Sequence, residues 1–489
     1  MTTIEKQNDL QARKSALKQN GAKNAAGKLL ARERIAKIFD EGSFVEIGAL
    51  LGNSGEGVVT GHGTIDGRLA YAYAQDFTVM EGAVSHLHAE KICNIMDAAL
   101  KTGAPVIGIF DSDGARIADG VEVLSGYGKI FKKSAECSGV IPQISVIAGP
   151  CAGGAAFAPA MSDLVFFVKG KGKMFLHSPE MIESSTGKKG DVCPCQNGTS
   201  HFNFETEDEC FEAVKKVFSY LPSNNLCECE SIVTDDINRI SAELNTIVPD
   251  DSSAAYDVKA VIGQIADTGS FTEMQKAYAK NMVIGLARMN GTAVGIIANQ
   301  PSENDGKLDV DACEKAARFV NFCDCFNIPV VTLTDVPGFT VCECQEKKGI
   351  TGHASALIYA YASATVPKIN VVIRKAYGNA YNVMCSKETG ADVVFAWPTA
   401  EIAVMGIDGA AGIMYNKEIA ESGDPVKMRE EMAKKYKEEY ASPYIAAKCG
   451  IVDDVIEPDA TRPMIISALE ALATKRVSSP SRKHGNMPL

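Results

Sequence analysis

IPQISVIAGPCAGGAAFAP (Ile141–Pro159) and VPKINVVIRKAYGNAYNVM (Val366–Met384) read as the same structural sentence written twice. Each opens with a strand pattern that reads as buried. Each run ends in small residues, Gly153-Gly154-Ala155 in one and Gly378-Asn379-Ala380 in the other, 225 positions apart. A helical pattern follows each turn, over Ala155–Met161 and Ala380–Lys387. Strand, small-residue turn and helix in that order predict a parallel α/β arrangement whose turn exposes backbone N–H groups.

The correspondence extends outward. FDEGSFVEI (Phe39–Ile47) matches ADTGSFTEM (Ala266–Met274), with Gly42 and Gly269 at equivalent places. After each comes a strand, turn, strand pattern, VVTGHGTIDGRLAYAYAQD from Val58 and MVIGLARMNGTAVGIIANQ from Met282. Asp66-Gly67 and Asn290-Gly291 are the hairpin turns. Helical patterns starting near Glu90-Lys91 and Glu314-Lys315 lead into VIGIF before Asp111 and VVTLT before Asp335. Small-residue turns follow, Ser112-Asp113-Gly114-Ala115 and Val336-Pro337-Gly338. Such a near-constant offset over more than a hundred positions predicts two copies of one αβ unit. Thr234–Ser253 is the expected join, and Lys188–Glu230 reads as a segment extra to the first copy.

A chain of 489 residues is long enough for two such domains. A net charge of −12 argues against a nucleic-acid-binding surface. No apolar run has the length of a membrane span, and Met1–Asn24 is polar, unlike a secretory signal, so a cytoplasmic protein is expected. Lys14–Arg34 is basic and Ala-rich but carries Glu33, and reads as a helix feeding the first domain. The 15 cysteines include four C-x-C pairs. Without an export signal the expectation is reduced thiols; a metal site from Cys193, Cys195, Cys227 and Cys229 is the alternative. No other metal site is expected. His86 and His88 have the wrong spacing for two ligands on one helix face, and His177 and His353 stand alone.

Glycines that admit a ligand to free N–H groups suit the stabilisation of a developing oxyanion. Tight strand–helix packing is the competing explanation for any one Gly-Gly; the repetition favours the chemical reading. There is no phosphate-loop motif, and Gly61, Gly63 and Gly67 sit in a hairpin pattern rather than a dinucleotide fingerprint. Cys151 lacks an evident base and reads as a packed thiol; Tyr377 and Tyr381 read as packing residues. A site rich in backbone donors and poor in acid–base groups fits enolate chemistry in which another participant handles the proton.

Further motifs carry a family resemblance: ARERI (Ala31–Ile35), GVVTGHGTIDGR (Gly57–Arg68), GPCAGGAAFAPA (Gly149–Ala160), YDVKAVI (Tyr256–Ile262), DVPGF (Asp335–Phe339), RKAYGNAY (Arg374–Tyr381), WPTAEIAVMG (Trp397–Gly406) and KHGNMPL (Lys483–Leu489). With these the chain resembles, over nearly its whole length, the carboxyltransferase subunit of biotin-dependent acyl-CoA carboxylases. That group takes in the propionyl-CoA carboxylase β-chains and the methylmalonyl-CoA decarboxylase α-subunits.

The resemblance implies two tandem crotonase-like (ClpP/crotonase) ββα-spiral domains, residues 1–240 on the acyl-CoA side and 250–489 on the biotin side, in a dimer-based homo-oligomer, a hexamer. It implies that Gly153 and Gly154 hold the thioester oxygen, and Asn379 and Ala380 the biotin ureido oxygen. Gly114, Ala115, Ala152, Gly378, Tyr381 and Asn382 would line the coenzyme A thioester substrate, and Gly338 and Phe339 the biotin. No A-M-K-M biotinylation motif is present, and Val426-Lys427-Met428 lies in a charged helical pattern. Carboxybiotin would therefore come on a separate biotin carboxyl carrier protein, with a biotin carboxylase or a membrane decarboxylase subunit as a further partner. The expected reaction is carboxyl transfer to a short-chain acyl-CoA. The alternatives are the α-subunit of a sodium-pumping decarboxylase, and a catalytically silent CoA-binding scaffold. Three departures from the family pattern stand out: Asn379 where Gly is usual, Asn382 where propionyl-type members have Asp, and DSDGAR and DVPGFTVCE in place of the usual turns.

Overall fold

The D-x-G-S-F motif repeats because its aspartate builds a hairpin. In the computed structural model, which describes residues 2–19, 28–52, 55–188, 190, 193–478 and 480–488, Asp40 accepts hydrogen bonds from the N–H groups of Asp66 (3.0 Å) and Gly67 (2.9 Å). Asp267 does the same for Asn290 (3.0 Å) and Gly291 (2.8 Å). Both turns have positive φ at both residues, the geometry that matches the twist of the flanking strands.

The chain divides into two compact units, Met1–Glu228 and Cys229–Leu489. The first contains β1 (Val45–Ile47), β2 (Val58–Ile65), β3 (Arg68–Gln75), β4 (Val106–Ser112), β5 (Gln143–Ala152), β6 (Leu164–Val168), β7 (Lys173–Phe175) and β8 (Phe202–Phe204). The second contains β9 (Thr272–Met274), β10 (Met282–Met289), β11 (Thr292–Asn299), β12 (Val330–Val336), β13 (Lys368–Tyr377), β14 (Val393–Ala396), β15 (Glu401–Ala403) and β16 (Asp454–Val455). Their sheets run β1-β2-β3-β4-β5-β6-β8 and β9-β10-β11-β12-β13-β14-β16, with β7 on β5 and β15 on β13. The topologies are identical. The hairpins are antiparallel and every later pair is parallel. Every residue of β4 and β12 is buried, which is why those strands read as unbroken apolar runs.

The helices before these strands are His86–Thr102, ended by Gly103 in the left-handed region, and Val310–Cys325. A register shift interrupts β4–β5 between the pairs Phe110–Ile147 and Ser112–Cys151. The same shift interrupts β12–β13 between Thr334–Val372 and Val336–Ala376. Two residues on one strand thus face four on the other, just before each site turn.

Several expectations change. The stretch read as a join, Thr234–Ser253, lies within the second unit: Arg239 donates to the carbonyls of Gln264 and Ala266, and Arg462 to that of Asp236. Lys188–Glu230 is not wholly extra. Its β8 and the helix Glu207–Phe218 occupy the places of β16 and Thr461–Ala471 in the second sheet; short edge strands carry too little pattern to be matched by eye. The helices between β15 and β16 (Ile407–Met414, Asn416–Glu421, Pro425–Tyr436 and Pro443–Lys448) are the larger addition, packed around Tyr415, Ile419 and Tyr436. The N-terminal helical reading resolves into Thr3–Gln19 and Ala31–Ile38, with residues 20–27 between them outside the described ones. Cys193 is joined to Cys195 and Cys342 to Cys344, against the expectation of reduced thiols. A single intervening residue brings each pair of Cα atoms to 5.3 Å, within ordinary disulfide reach. Two of the four cysteines of the alternative metal set are thereby spent, and among the described residues no group of three or more His, Cys, Asp or Glu is arranged to hold a metal. Among the described residues, no helix is long and apolar enough to cross a membrane.

Candidate functional site

In the first unit β5 ends at Ala152, and Gly153 turns the chain with φ +61°. A short 3-10 turn, Gly153–Ala156, passes into the helix Phe157–Met161. In the second, β13 ends at Tyr377, Gly378 turns with φ +60°, and the helix Gly378–Val383 follows. The first helix starts two residues later than its pattern, because the 3-10 turn takes Ala155 and Ala156; the second starts two residues earlier, at Gly378, and ends at Val383, short of Lys387. A Cβ added to Gly153 or Gly154 would meet nothing within 4 Å. Packing therefore does not require these glycines; Gly153 answers to its backbone angle and Gly154 leaves open space. Gly154 and Asn379 are exposed, Ala152, Gly378 and Asn382 are partly so, and Ala380 is buried at 1%.

The turns after β4 and β12 are also equivalent. Val84 pairs with Ala115, and Leu308 with Phe339, as isolated parallel bridges. The N–H groups of Val84 and Leu308 donate to the carbonyls of Gly114 (2.8 Å) and Gly338 (3.0 Å). Sequence reading placed Gly114-Ala115 with one ligand and Gly338-Phe339 with another. Within their own units they are the same position.

In the second turn, the Asn382 side-chain amide donates to Asn379 Oδ1 (3.2 Å) and its oxygen accepts from Ser386 Oγ (2.9 Å). The two unusual asparagines are thus bonded to each other. Tyr377 OH donates to the Glu401 carboxylate in a short hydrogen bond, and burial together with that carboxylate raises its pKa. Tyr381 OH is buried and has no hydrogen-bond partner among the described residues, and burial raises its pKa as well. Cys151 is fully buried and pushed up to about 12 by burial, the reverse of an activated thiolate.

The residues that sequence reading missed lie beneath the turns. Asp111 is 2% exposed and accepts from Arg34 Nη1 (2.7 Å) and Lys28 Nζ (3.0 Å). Arg34 also donates to Glu207 (2.7 Å) and to the Ala148 carbonyl (3.2 Å). Burial opposes its charge, but Glu207 and Asp111 raise its pKa further above the usual value. Asp335 is 1% exposed and accepts from Arg374 Nε (3.0 Å), Tyr256 OH (3.0 Å) and the Lys375 N–H (3.1 Å). Burial raises its pKa against the pull of Arg374 and Lys375. The matched positions of the two aspartates were the available signal, but nothing in the chain order points to their partners.

A buried relay leads to Asp111. Its N–H donates to Gln75 Oε1 (3.2 Å), and Gln75 Nε2 faces His88 Nε2 (3.4 Å). His88 Nδ1 faces the Glu56 carbonyl (2.8 Å), so the neutral ring donates from Nδ1 and accepts at Nε2. Burial pushes the His88 pKa down from 6.5 to about 3. A depressed histidine stabilises the fold fully above its unfolded pKa. That contribution fades as pH falls from 6.5 towards 3, by about 1.4 kcal/mol per unit. Urea titrations at pH 7 and pH 5 are expected to show a loss of about 2 kcal/mol from this ring, and His88→Gln should remove that part of the slope. An unchanged slope in the variant would show that His88 is not the titrating group. His86 instead contacts Glu90 (3.1 Å) and His353 contacts Glu314 (3.0 Å).

A doubled α/β sheet with an open, glycine-shaped turn at the end of one central strand in each half defines the class of two-domain crotonase-like proteins. The carboxyl transferase domain model matches residues 22–487. The chain is 46% identical to the propionyl-CoA carboxylase carboxyltransferase subunit of Haloferax mediterranei, over 98% of each chain. It is 48% identical to the methylmalonyl-CoA decarboxylase subunit alpha of Veillonella parvula, over 95% of this chain and 94% of that one. Among solved structures, it overlays the transcarboxylase 12S hexamer subunit, with methylmalonyl-coenzyme A bound, at a TM-score of 0.96 and 44% identity, covering 100% of this chain and 99% of that one. This chain belongs to the carboxyl transferase family and is an acyl-CoA carboxyltransferase.

Proposed function

We propose that the enzyme moves a carboxyl group between carboxybiotin, presented by a separate carrier protein, and a short-chain acyl-CoA of the acetyl or propionyl type. The observation that carries this reading is the pair of equivalent turns at Gly153 and Gly378, each following a buried strand at φ near +60°. In the first unit, the acyl-CoA side, the N–H groups of Gly153 and Gly154 hold the thioester oxygen as it gains charge; Gly114, Ala115 and Ala152 border the thioester. In the second unit, the biotin side, the N–H groups of Asn379 and Ala380 hold the ureido oxygen; Gly338 and Phe339 border the ring. Gly378, Tyr381 and Asn382 face the acyl group. The exposed Asn379 backbone fits a ureido acceptor, and its side chain is drawn aside by Asn382 (3.2 Å). Bound carboxybiotin supplies CO2 and the acceptor for the α-proton. The chain's own groups orient the partners and stabilise charge.

The enzyme works in the cytoplasm as a dimer-based homo-oligomer, a hexamer like the transcarboxylase 12S assembly. A biotin carboxylase would recharge the carrier. The 48% identity to a decarboxylase alpha subunit supports a second reading, the same transfer run in reverse beside a membrane subunit.

The test is carboxyl exchange with free biotin across acetyl-, propionyl- and butyryl-CoA and their carboxylated products. Exchange with at least one pair is expected, and none with any pair would sink the reading. Asn382→Asp places a carboxylate against Asn379 Oδ1, so the Asn379 amide must flip. A shift of about tenfold in the kcat/KM ratio between two acyl-CoAs is expected, the scale of one altered pocket contact. An unchanged ratio would remove Asn382 from chain-length selection.

A further inference from the structure

The first unit brings a guanidinium to Asp111 from the helix Ala31–Ile38, through Arg34. The second brings one to Asp335 from β13 itself, through Arg374. These arginines are not equivalent in the repeat. The counterpart of Arg374 is Gly149, 225 positions earlier, and the counterpart of Arg34 is Val261, 227 positions later. A Cβ on Gly149 would lie 1.8 Å from Asp111 Oδ1, so the space that Arg374 uses in one half is closed in the other. The two halves thus make the same buried Arg–Asp contact from different places in the chain. Packing alone gives no reason for both halves to retain the charge pair, since an apolar replacement of a buried pair is often neutral or stabilising.

What the two pairs share is position. Each carboxylate sits in the register shift that precedes its turn. Arg34 grips the Ala148 carbonyl within the bulge, and Asp335 accepts the Lys375 N–H within the other. Gly82 and Gly306 close over the carbonyls of Asp111 and Asp335, where a Cβ would come within 2.4 Å and 2.8 Å. We propose that Arg34–Asp111 and Arg374–Asp335 are positioning pairs for the reaction: each locks the strand bulge that aims the N–H groups of Gly153-Gly154 in one unit and of the Gly378–Ala380 turn in the other. The inference rests on the oxyanion role of those turns.

Arg34→Lys and Arg374→Lys keep the charge but lose the planar fork that bridges two acceptors. Each is expected to lower kcat by about 10- to 100-fold, the scale of a small misplacement of reacting groups, with KM for acyl-CoA within about threefold of wild type. A side-specific readout separates positioning from general loosening. Arg374→Lys should also slow carboxybiotin decarboxylation measured without acyl-CoA, and Arg34→Lys should not. If either variant folds poorly, Arg34→Met/Asp111→Asn/Glu207→Gln and Arg374→Met/Asp335→Asn remove the buried charges together; they should recover stability but not kcat. Wild-type kcat in the folded lysine variants or in the charge-removed variants, or equal loss of both reactions in step with melting temperature, overturns the proposal. Gly154→Pro, assayed alongside, tests the turn itself. If it is inert, the oxyanion reading fails; if it is slow while the arginine variants are not, only the positioning role fails.

Discussion

Gly154→Pro is expected to lower kcat by about 10²–10³-fold, the usual cost of one oxyanion donor. Proline removes the N–H and sets its Cδ in the place of the hydrogen. Gly154 is exposed, and nothing lies within 4 Å of an added Cβ. Its carbonyl, which accepts from Phe157 N–H, remains. The positive φ belongs to Gly153, which stays glycine. The helix begins at Phe157, so no helical hydrogen bond is broken. In the proposed role the interaction would strengthen as negative charge develops on the thioester oxygen, so KM should change less than kcat. A correctly folded variant with kcat within about threefold of wild type would show that this N–H does not act on the reacting oxygen.

Arg462→Ala is expected to destabilise the second unit by about 3–5 kcal/mol, because it leaves a buried carboxylate without its partner. Arg462 and Asp267 are each 0% exposed and meet at 2.7 Å. Asp267 shapes the Asn290-Gly291 turn, and Arg462 also donates to the carbonyls of Ile265 (2.9 Å) and Asp236 (3.2 Å). The first unit's counterpart, Asp40, is held by Thr64 Oγ1 (2.6 Å) and the turn N–H groups. Asp40→Asn should therefore cost less than Asp267→Asn. Chemical denaturation followed by the fluorescence of Trp397, the sole tryptophan, reads the second unit directly. Its Nε1–H donates to Thr461 Oγ1, one residue before Arg462. A loss below about 1 kcal/mol would mean the pair is dispensable to the turn.

The long central elements were legible because their signal is local. Unbroken apolar runs, Asp-Gly and Asn-Gly turns and repeated motifs mark β2–β5 and β10–β13 without any knowledge of contacts. Edge strands were not legible. β8 and β16 are three and two residues long, too short to carry a period, so the tail of the first unit looked like an insertion. The cysteine pairs misled because compartment sets a prior on disulfides, whereas one-residue spacing sets the distance.

The same division holds for the site. The sequence by itself determined the two-copy architecture and the places of both turns, since positive φ at Gly153 and Gly378 demands a residue type that is visible in the chain. It also exposed Asn379 and Asn382 as departures. Only the tertiary structure decided that these two asparagines bond to each other, that Gly154 opens onto empty space, and that Asp111 takes its arginine from position 34 while Asp335 takes its own from 374. A backbone angle is a property of one residue and leaves its mark there. A buried ion pair is a property of two surfaces brought together from 77 positions apart in one unit and 39 in the other, and no local pattern records which partner will arrive.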